Sequence, residues 1–326
     1  MKKTALILIL TLLLLALVPS CGQTPPAPED NTVAHVGALL GPTGMGMAKL
    51  MLDEKDTGKY VFSTYSAPTD AVNDLASGEL DMLCMPTNTA ATLANKNSNY
   101  ITVLCVNTLG SLFLITDENT EVRSIADLEG KTIYTSVATS TTNPIVQYLL
   151  DKNHVNATIE TVADHDALVA SVVKGEVSIA VLPEPKVSAA LMQAKTYSIA
   201  LNLSEEWDKV SDRSLTMGCL VVRNDFLSAH KTVVDRFLAE YRTSVDYINT
   251  AAVDDAAQVI VDAGILPKLP VAKSALTHLK GSLVCLTGKD MKAALVSFYG
   301  ELLTAMPASI GNKLPVDDFY YIPDEK

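Results

Sequence analysis

Basic residues are scarce. The chain has 25 Lys and Arg against 37 Asp and Glu, a net charge of −12, and apart from Lys2-Lys3 it holds no run of Lys or Arg. That distribution argues against nucleic acid as a partner. Histidine is scarcer still: the five, at positions 35, 154, 165, 230 and 278, stand singly with no partner at ligand spacing. No Cys-x-x-Cys occurs either, so no metal site is expected. No Ser/His/Asp or Cys/His constellation falls at a recognisable spacing, which argues against an enzyme. Gly41-Pro42-Thr43-Gly44-Met45-Gly46 has neither the dinucleotide-binding spacing nor the Lys-Ser/Thr of a P-loop. No cofactor is expected.

What is present begins with a short address. Lys2 and Lys3 precede an almost wholly apolar run from Ala5 to Val18, shorter than the roughly 20 residues a membrane span needs. Leu17-Val18-Pro19-Ser20-Cys21 resembles a lipobox, which implies that residues 1–20 are a signal peptide and that Cys21 carries the lipid. Gly22 to Thr32, with three prolines and two acids, reads as a flexible tether. Removing the first 20 of 326 residues leaves 306 and takes two lysines away, so the net charge falls from −12 to −14. That length is enough for two sizeable cores. Four cysteines remain, Cys84, Cys105, Cys219 and Cys285, each in an apolar run. They read as small core hydrophobes, although an extracytoplasmic compartment also permits a disulfide.

The chain then repeats itself. Gly78-Glu79-Leu80-Asp81-Met82-Leu83-Cys84-Met85-Pro86 and Gly175-Glu176-Val177-Ser178-Ile179-Ala180-Val181-Leu182-Pro183 each run from a Gly-Glu turn through an apolar strand to a proline. Pro86 and Pro183 are 97 positions apart. Strands at Val33 to Leu40 and Lys131 to Ser136, each followed by a polar loop and a helix, recur at nearly the same offset. Alternating strands and helices give a mainly parallel sheet with helices on both faces, and a period this long is a duplicated domain. Residues 33–108 plus 217–326 are expected to form one α/β lobe and residues 109–216 the other, with crossings near Thr108 and Met217 as a hinge. From Phe226 the pattern reads as helical to the end, with packing stripes at Phe237, Tyr241, Val245 and Ile248 and at Leu295, Phe298, Leu302 and Met306.

Three sets of residues carry a family resemblance: the Gly41–Gly46 loop, the Gly78-Glu79-Leu80-Asp81 turn, and Ile125-Ala126-Asp127-Leu128-Glu129-Gly130-Lys131 with Leu182-Pro183-Glu184-Pro185. Together, behind a lipobox, they resemble the solute-binding proteins of ABC importers with the type II periplasmic-binding fold. The likeness is greatest to the branch for sulfonates, nitrate and the pyrimidine precursor of thiamine. It implies sheet order 2-1-3-n-4 in each lobe, solute capture by lobe closure, and delivery to a membrane permease. It also implies an extracytoplasmic, lipid-anchored location. A monomer is expected.

Ligands of open α/β sheets sit beyond the carboxyl ends of the strands, where helix N-termini present free N–H groups. Three loops fit that position: Gly41, Pro42, Thr43 and Gly44; Thr87, Asn88 and Thr89; and Thr139, Ser140, Thr141 and Thr142. Each has a plainer reading as a tight turn or helix cap. Glu184, between two prolines, either holds an amine or ring N–H of the solute or only starts a helix. Tyr65 and Tyr134 either stack on a ring or pack. Trp207 covers either the cleft or a lobe surface. The three loops contain no Arg or Lys, which favours a small neutral, zwitterionic or weakly ionised organic solute. A ligand-sensing partner of a membrane receptor, or an enzyme on the same fold, is the alternative function.

Overall fold

The computed structural model describes residues 30–96, 100–136 and 141–323. Cys21, the signal peptide and nearly all of the tether lie outside these, as do Thr139 and Ser140. Residues from Thr32 onward form one compact unit. Among the described residues no helix is long and apolar enough to cross a membrane.

The first stretch runs β1 (Ala34–Leu39), α1 (Pro42–Met45), α2 (Ala48–Asp53), β2 (Tyr60–Tyr65), α3 (Pro68–Ser77), β3 (Met82–Pro86), α4 (Thr87–Lys96) and β4 (Ile101–Leu109). The second runs β5 (Leu112–Asp117), β6 (Thr132–Ser136), α5 (Thr142–Lys152), β7 (Thr158–Val162), α6 (His165–Lys174), β8 (Ile179–Pro183), α7 (Lys186–Gln193), β9 (Tyr197–Asn202) and α8 (Leu203–Asp208). The chain ends with β10 (Thr216–Arg223), α9 (Asn224–Ala229), α10 (Lys231–Thr250), α11 (Val253–Asp262), α12 (Leu269–His278), β11 (Leu283–Thr287) and α13 (Gly288–Ala305).

Two sheets result, ordered β11-β4-β10-β3-β1-β2 and β7-β6-β8-β5-β9. Each contains the expected 2-1-3-n-4 arrangement. In the first, β1 pairs in parallel with β2 and β3, and β10 is the antiparallel strand between β3 and β4. In the second, β6 pairs in parallel with β7 and β8, and β5 is the antiparallel strand between β8 and β9. The duplication holds in register: Pro86 stands opposite Gly218 and Pro183 opposite Leu112.

The repeated Gly-Glu turn has a backbone cause. Gly78 ends α3 at φ 87° and Gly175 ends α6 at φ 72°, left-handed conformations that glycine adopts without a Cβ clash. The strands that follow, Met82–Met85 and Ile179–Leu182, are buried throughout, because helices cover both sheet faces.

One feature departs from the sequence reading. The chain after Phe226 is not helical to its end, because Leu283–Thr287 joins the first sheet as an antiparallel edge strand on β4. Both stripes do face the core, Phe237, Tyr241, Val245 and Ile248 within α10 and Leu295, Phe298 and Leu302 within α13; Met306 falls just past the end of α13.

The four cysteines are free thiols within the first sheet. Burial pushes the Cys84 thiol up to about 12 and raises those of Cys105 and Cys219. Cys285, half-buried, moves the other way, because the Cys105 thiol hydrogen-bonds to it and Arg242 adds positive charge. Thiolate is the reactive form. Maleimide added to the native protein is therefore expected to label Cys285 alone among these four. Mass mapping that found Cys84 or Cys219 labelled at the same rate would contradict this.

Candidate functional site

A cleft of about 820 Å³ lies between loops of the two sheets. The first sheet contributes Pro42 and Thr43 after β1, Ser66 to Thr69 after β2, and Pro86 and Thr89 around the start of α4. The second contributes Ser136, Thr141 and Thr142 after β6, Ala163 to Asp166 after β7, and Pro183 and Lys186 after β8. Thr108, Ser111, Leu112 and Met217 floor it where the chain crosses between the sheets. The strands that pair in parallel, β1, β2 and β3 in the first sheet and β6, β7 and β8 in the second, each deliver a loop from the carboxyl end, the place where such sheets bind ligands.

The lining is rich in hydroxyls: Thr43, Ser66, Thr69, Thr89, Thr108, Ser111, Ser136, Thr141 and Thr142. The N-terminal turns of α1, α3, α4, α5, α6 and α7 also border it, bringing partial positive charge and N–H donors. Thr141 occupies the N-cap of α5 without its hydroxyl making a capping bond. Charge is sparse and largely committed. Lys186 is ion-paired with Asp166, and the Asp164 carboxylate caps α6 by accepting from the Ala167 amide at 2.8 Å.

His165 sits at the start of α6 with Nε2 3.4 Å from the Ser136 hydroxyl. Its Nδ1 is buried with no partner among the described residues. Burial, and then the Lys186 charge, hold its pKa below the ordinary imidazole value, so the ring is neutral at neutral pH.

Of the residues singled out from sequence, Pro42, Thr43, Thr89, Thr141 and Thr142 line the cleft. Gly41 and Gly44 do not: Gly41 adopts φ 113° to turn the chain out of β1, and a Cβ on Gly44 would lie 2.4 Å from the Leu39 carbonyl. Asn107 holds this loop from behind, donating to the Thr43 carbonyl at 3.1 Å. The Thr87 hydroxyl donates to the Thr216 carbonyl at 2.8 Å, and Asn88 is buried in the first turn of α4. Tyr65 donates to Asp74 at 2.7 Å, and burial pushes its phenol up to about 12. Tyr134 packs against the second sheet's outer core.

The Glu184 carboxylate is buried on partners from its own chain. It accepts from the Ser188 amide at 3.3 Å and the Ser188 hydroxyl at 3.0 Å, and it pairs with His278. Trp207 is in the core, between Tyr148 and Phe298 at ring distances of 4.5 and 5.6 Å.

Ser66 to Thr69, Val72, Asn73, Ser136, Asp164 to Asp166 and Lys186 also line the cleft and escape the sequence reading. The internal repeat carried the signal: Pro68 and Thr69, moved by 97 positions, fall on His165 and Asp166.

No curated protein sequence matches the chain. Several solved structures share its fold. An ABC transporter protein from Parabacteroides distasonis superposes with a TM-score of 0.75 at 20% identity, covering 91% of this chain and 100% of its own. The periplasmic aliphatic sulphonate binding protein SsuA from Escherichia coli gives 0.72 at 14%, covering 91% and 94%. The alkanesulfonate-binding protein SsuA from Xanthomonas axonopodis pv. citri, bound to MOPS, gives 0.65 at 14%, covering 90% and 98%. The family model described as "ABC transporter, phosphonate, periplasmic substrate-binding protein" matches residues 52–241. That is more than half of the chain, which therefore belongs to the phosphonate family of ABC-transporter periplasmic substrate-binding proteins.

Proposed function

We propose that this protein captures a small zwitterionic organic solute, one oxyanion head and one amine, in the cleft and hands it to an ABC importer. The carrying observation is the lining itself: nine hydroxyls and six helix N-termini, with the one lysine among the described lining residues already paired to Asp166. Hydroxyls and helix amides suit a compact three-oxygen head such as a phosphonate or sulfonate. The neutral His165 ring borders the cleft beside the same head, with Nε2 3.4 Å from the Ser136 hydroxyl. Among the described lining residues no lysine or arginine is unpaired, which disfavours a polyanion, while Asp164, on the loop after β7, brings the carboxylate that an amine needs. Family membership supports both the solute class and the permease partner.

In this proposal residues 33–108 with 217–326 and residues 109–216 act as two lobes that close over the solute. Acylated Cys21 and the following tether keep the protein at the membrane beside its permease.

A thermal-shift panel tests the solute class. A two-carbon aminoalkylphosphonate and the matching sulfonate are compared with the same chains lacking the amine, with the free amines, and with inorganic phosphate and sulfate. A true solute at a hundredfold excess over its Kd adds about 2.7 kcal/mol of stability. Removing either head is expected to weaken binding at least tenfold. Equal binding of inorganic phosphate, or a flat response to the whole panel, would discard the zwitterion.

A further inference from the structure

We infer that Glu184 and His278, supported by Ser188 and Ser274, form a latch at the cleft rim that favours the closed arrangement even without solute. The latch presupposes the proposed two lobes that open and close, but not the nature of the solute between them.

The four residues come from opposite sides. Glu184 lies at the turn from β8 into α7, and α7 buries Val187 and Ala190 in the second sheet's outer core. His278 and Ser274 lie on α12, which buries Ala272 and Ala275 with the first sheet and α11. The Glu184 side chain has 0% exposure. A carboxylate so placed bears a desolvation penalty of several kcal/mol unless charge and hydrogen bonds compensate it. Ser188 supplies two bonds from within α7. The rest comes across the gap: His278 Nδ1 pairs with the carboxylate, and the Ser274 hydroxyl stands 2.8 Å from that of Ser188. Phe113 of β5 packs on the His278 ring at 5.6 Å, so the imidazole is held by apolar contact with the second sheet as well as by the carboxylate.

None of the four lines the cleft, yet their neighbours Pro183 and Lys186 do. Separation of the two sides would strip His278 from Glu184 and Ser274 from Ser188, and leave the acid with Ser188 alone. The closed form therefore gains from a contact that the solute never touches. Lys186 pairs with Asp166 and Lys273 with Asp254, and His278 is the side chain that reaches the carboxylate across the gap.

Small-angle scattering on the solute-free, full-length protein reads the arrangement directly. His278→Phe keeps ring volume against Phe113 and removes the nitrogen. The double variant Glu184→Gln/His278→Phe removes the charge too, so that no unpaired acid remains to unfold the protein. Ser274→Ala is a milder third. Both His278→Phe and the double variant are expected to show a larger radius of gyration than wild type, with far-ultraviolet circular dichroism unchanged, and Ser274→Ala a smaller increase. Scattering curves that superpose on wild type in folded His278→Phe and in the double variant would overturn the latch. Opening of the variants supports it even if no compound of the solute panel binds, an outcome that would remove only the solute reading.

Discussion

Alanine at position 207 is expected to cost about 3–5 kcal/mol of folding stability, the usual range for emptying a large aromatic site in a core. Trp207 is fully buried. Its indole stacks on Tyr148 of α5 and meets Phe298 of α13, and its N–H donates to the Arg213 carbonyl at 2.9 Å. Truncation therefore removes the contact at which three helices meet, together with the indole's hydrogen bond to the Arg213 carbonyl. Urea unfolding followed by circular dichroism measures the loss, since the only tryptophan fluorophore goes with the substitution. Trp207→Phe, which keeps a ring, is expected to recover part of it. A loss under about 1 kcal/mol for Trp207→Ala would mean that the site collapses around the missing ring and that the helices are not held there.

The second large effect is on binding. Valine at both 141 and 142 preserves shape and β-branching and takes away two hydroxyls at the mouth of α5. A hydrogen bond to a charged group contributes about 1.5 kcal/mol at the low end. Two of them give about 3 kcal/mol, or roughly a 150-fold weaker Kd. Calorimetric titration with the two-carbon aminoalkylphosphonate reads the change. Because the Thr141 hydroxyl makes no capping bond, Thr141→Val alone should leave the melting temperature almost unchanged. Unaltered affinity in a folded double variant would assign both hydroxyls to structure and move the oxyanion head elsewhere in the cleft.

Much of this architecture is legible in the sequence because it is written twice. The Gly-Glu turns, the buried strands and their terminal prolines recur at one spacing, and the two sheets repeat one order with an antiparallel strand in the same place. The cleft loops after β1 and β6 follow from the same logic. What escaped depends on residues far apart in the chain. Glu184 reads as a cleft acid until His278, 94 positions away, takes its carboxylate. Trp207 stands in a polar stretch, and only the packing of Tyr148 and Phe298 makes it a core residue. The strand at Leu283–Thr287 is short and set among helices; its pairing with β4, nearly two hundred residues earlier, decides its form. The loop after β2 carries no motif of its own, and only the repeat points to it.

The apolar cluster around Trp207 has a further consequence. Leu114, Ile133 and Val181 of the second sheet, Leu83 and Val106 of the first, and Leu295, Phe298 and Leu302 of α13 belong to one uninterrupted core. The strands of the second sheet all come from one stretch of chain, yet that stretch does not own the residues that cover it. A fragment cut out at its two crossings would carry the duplicated pattern intact and still expose the face that α13 normally seals. What began as two equivalent copies has become indivisible: either half, excised, is an open book without its spine.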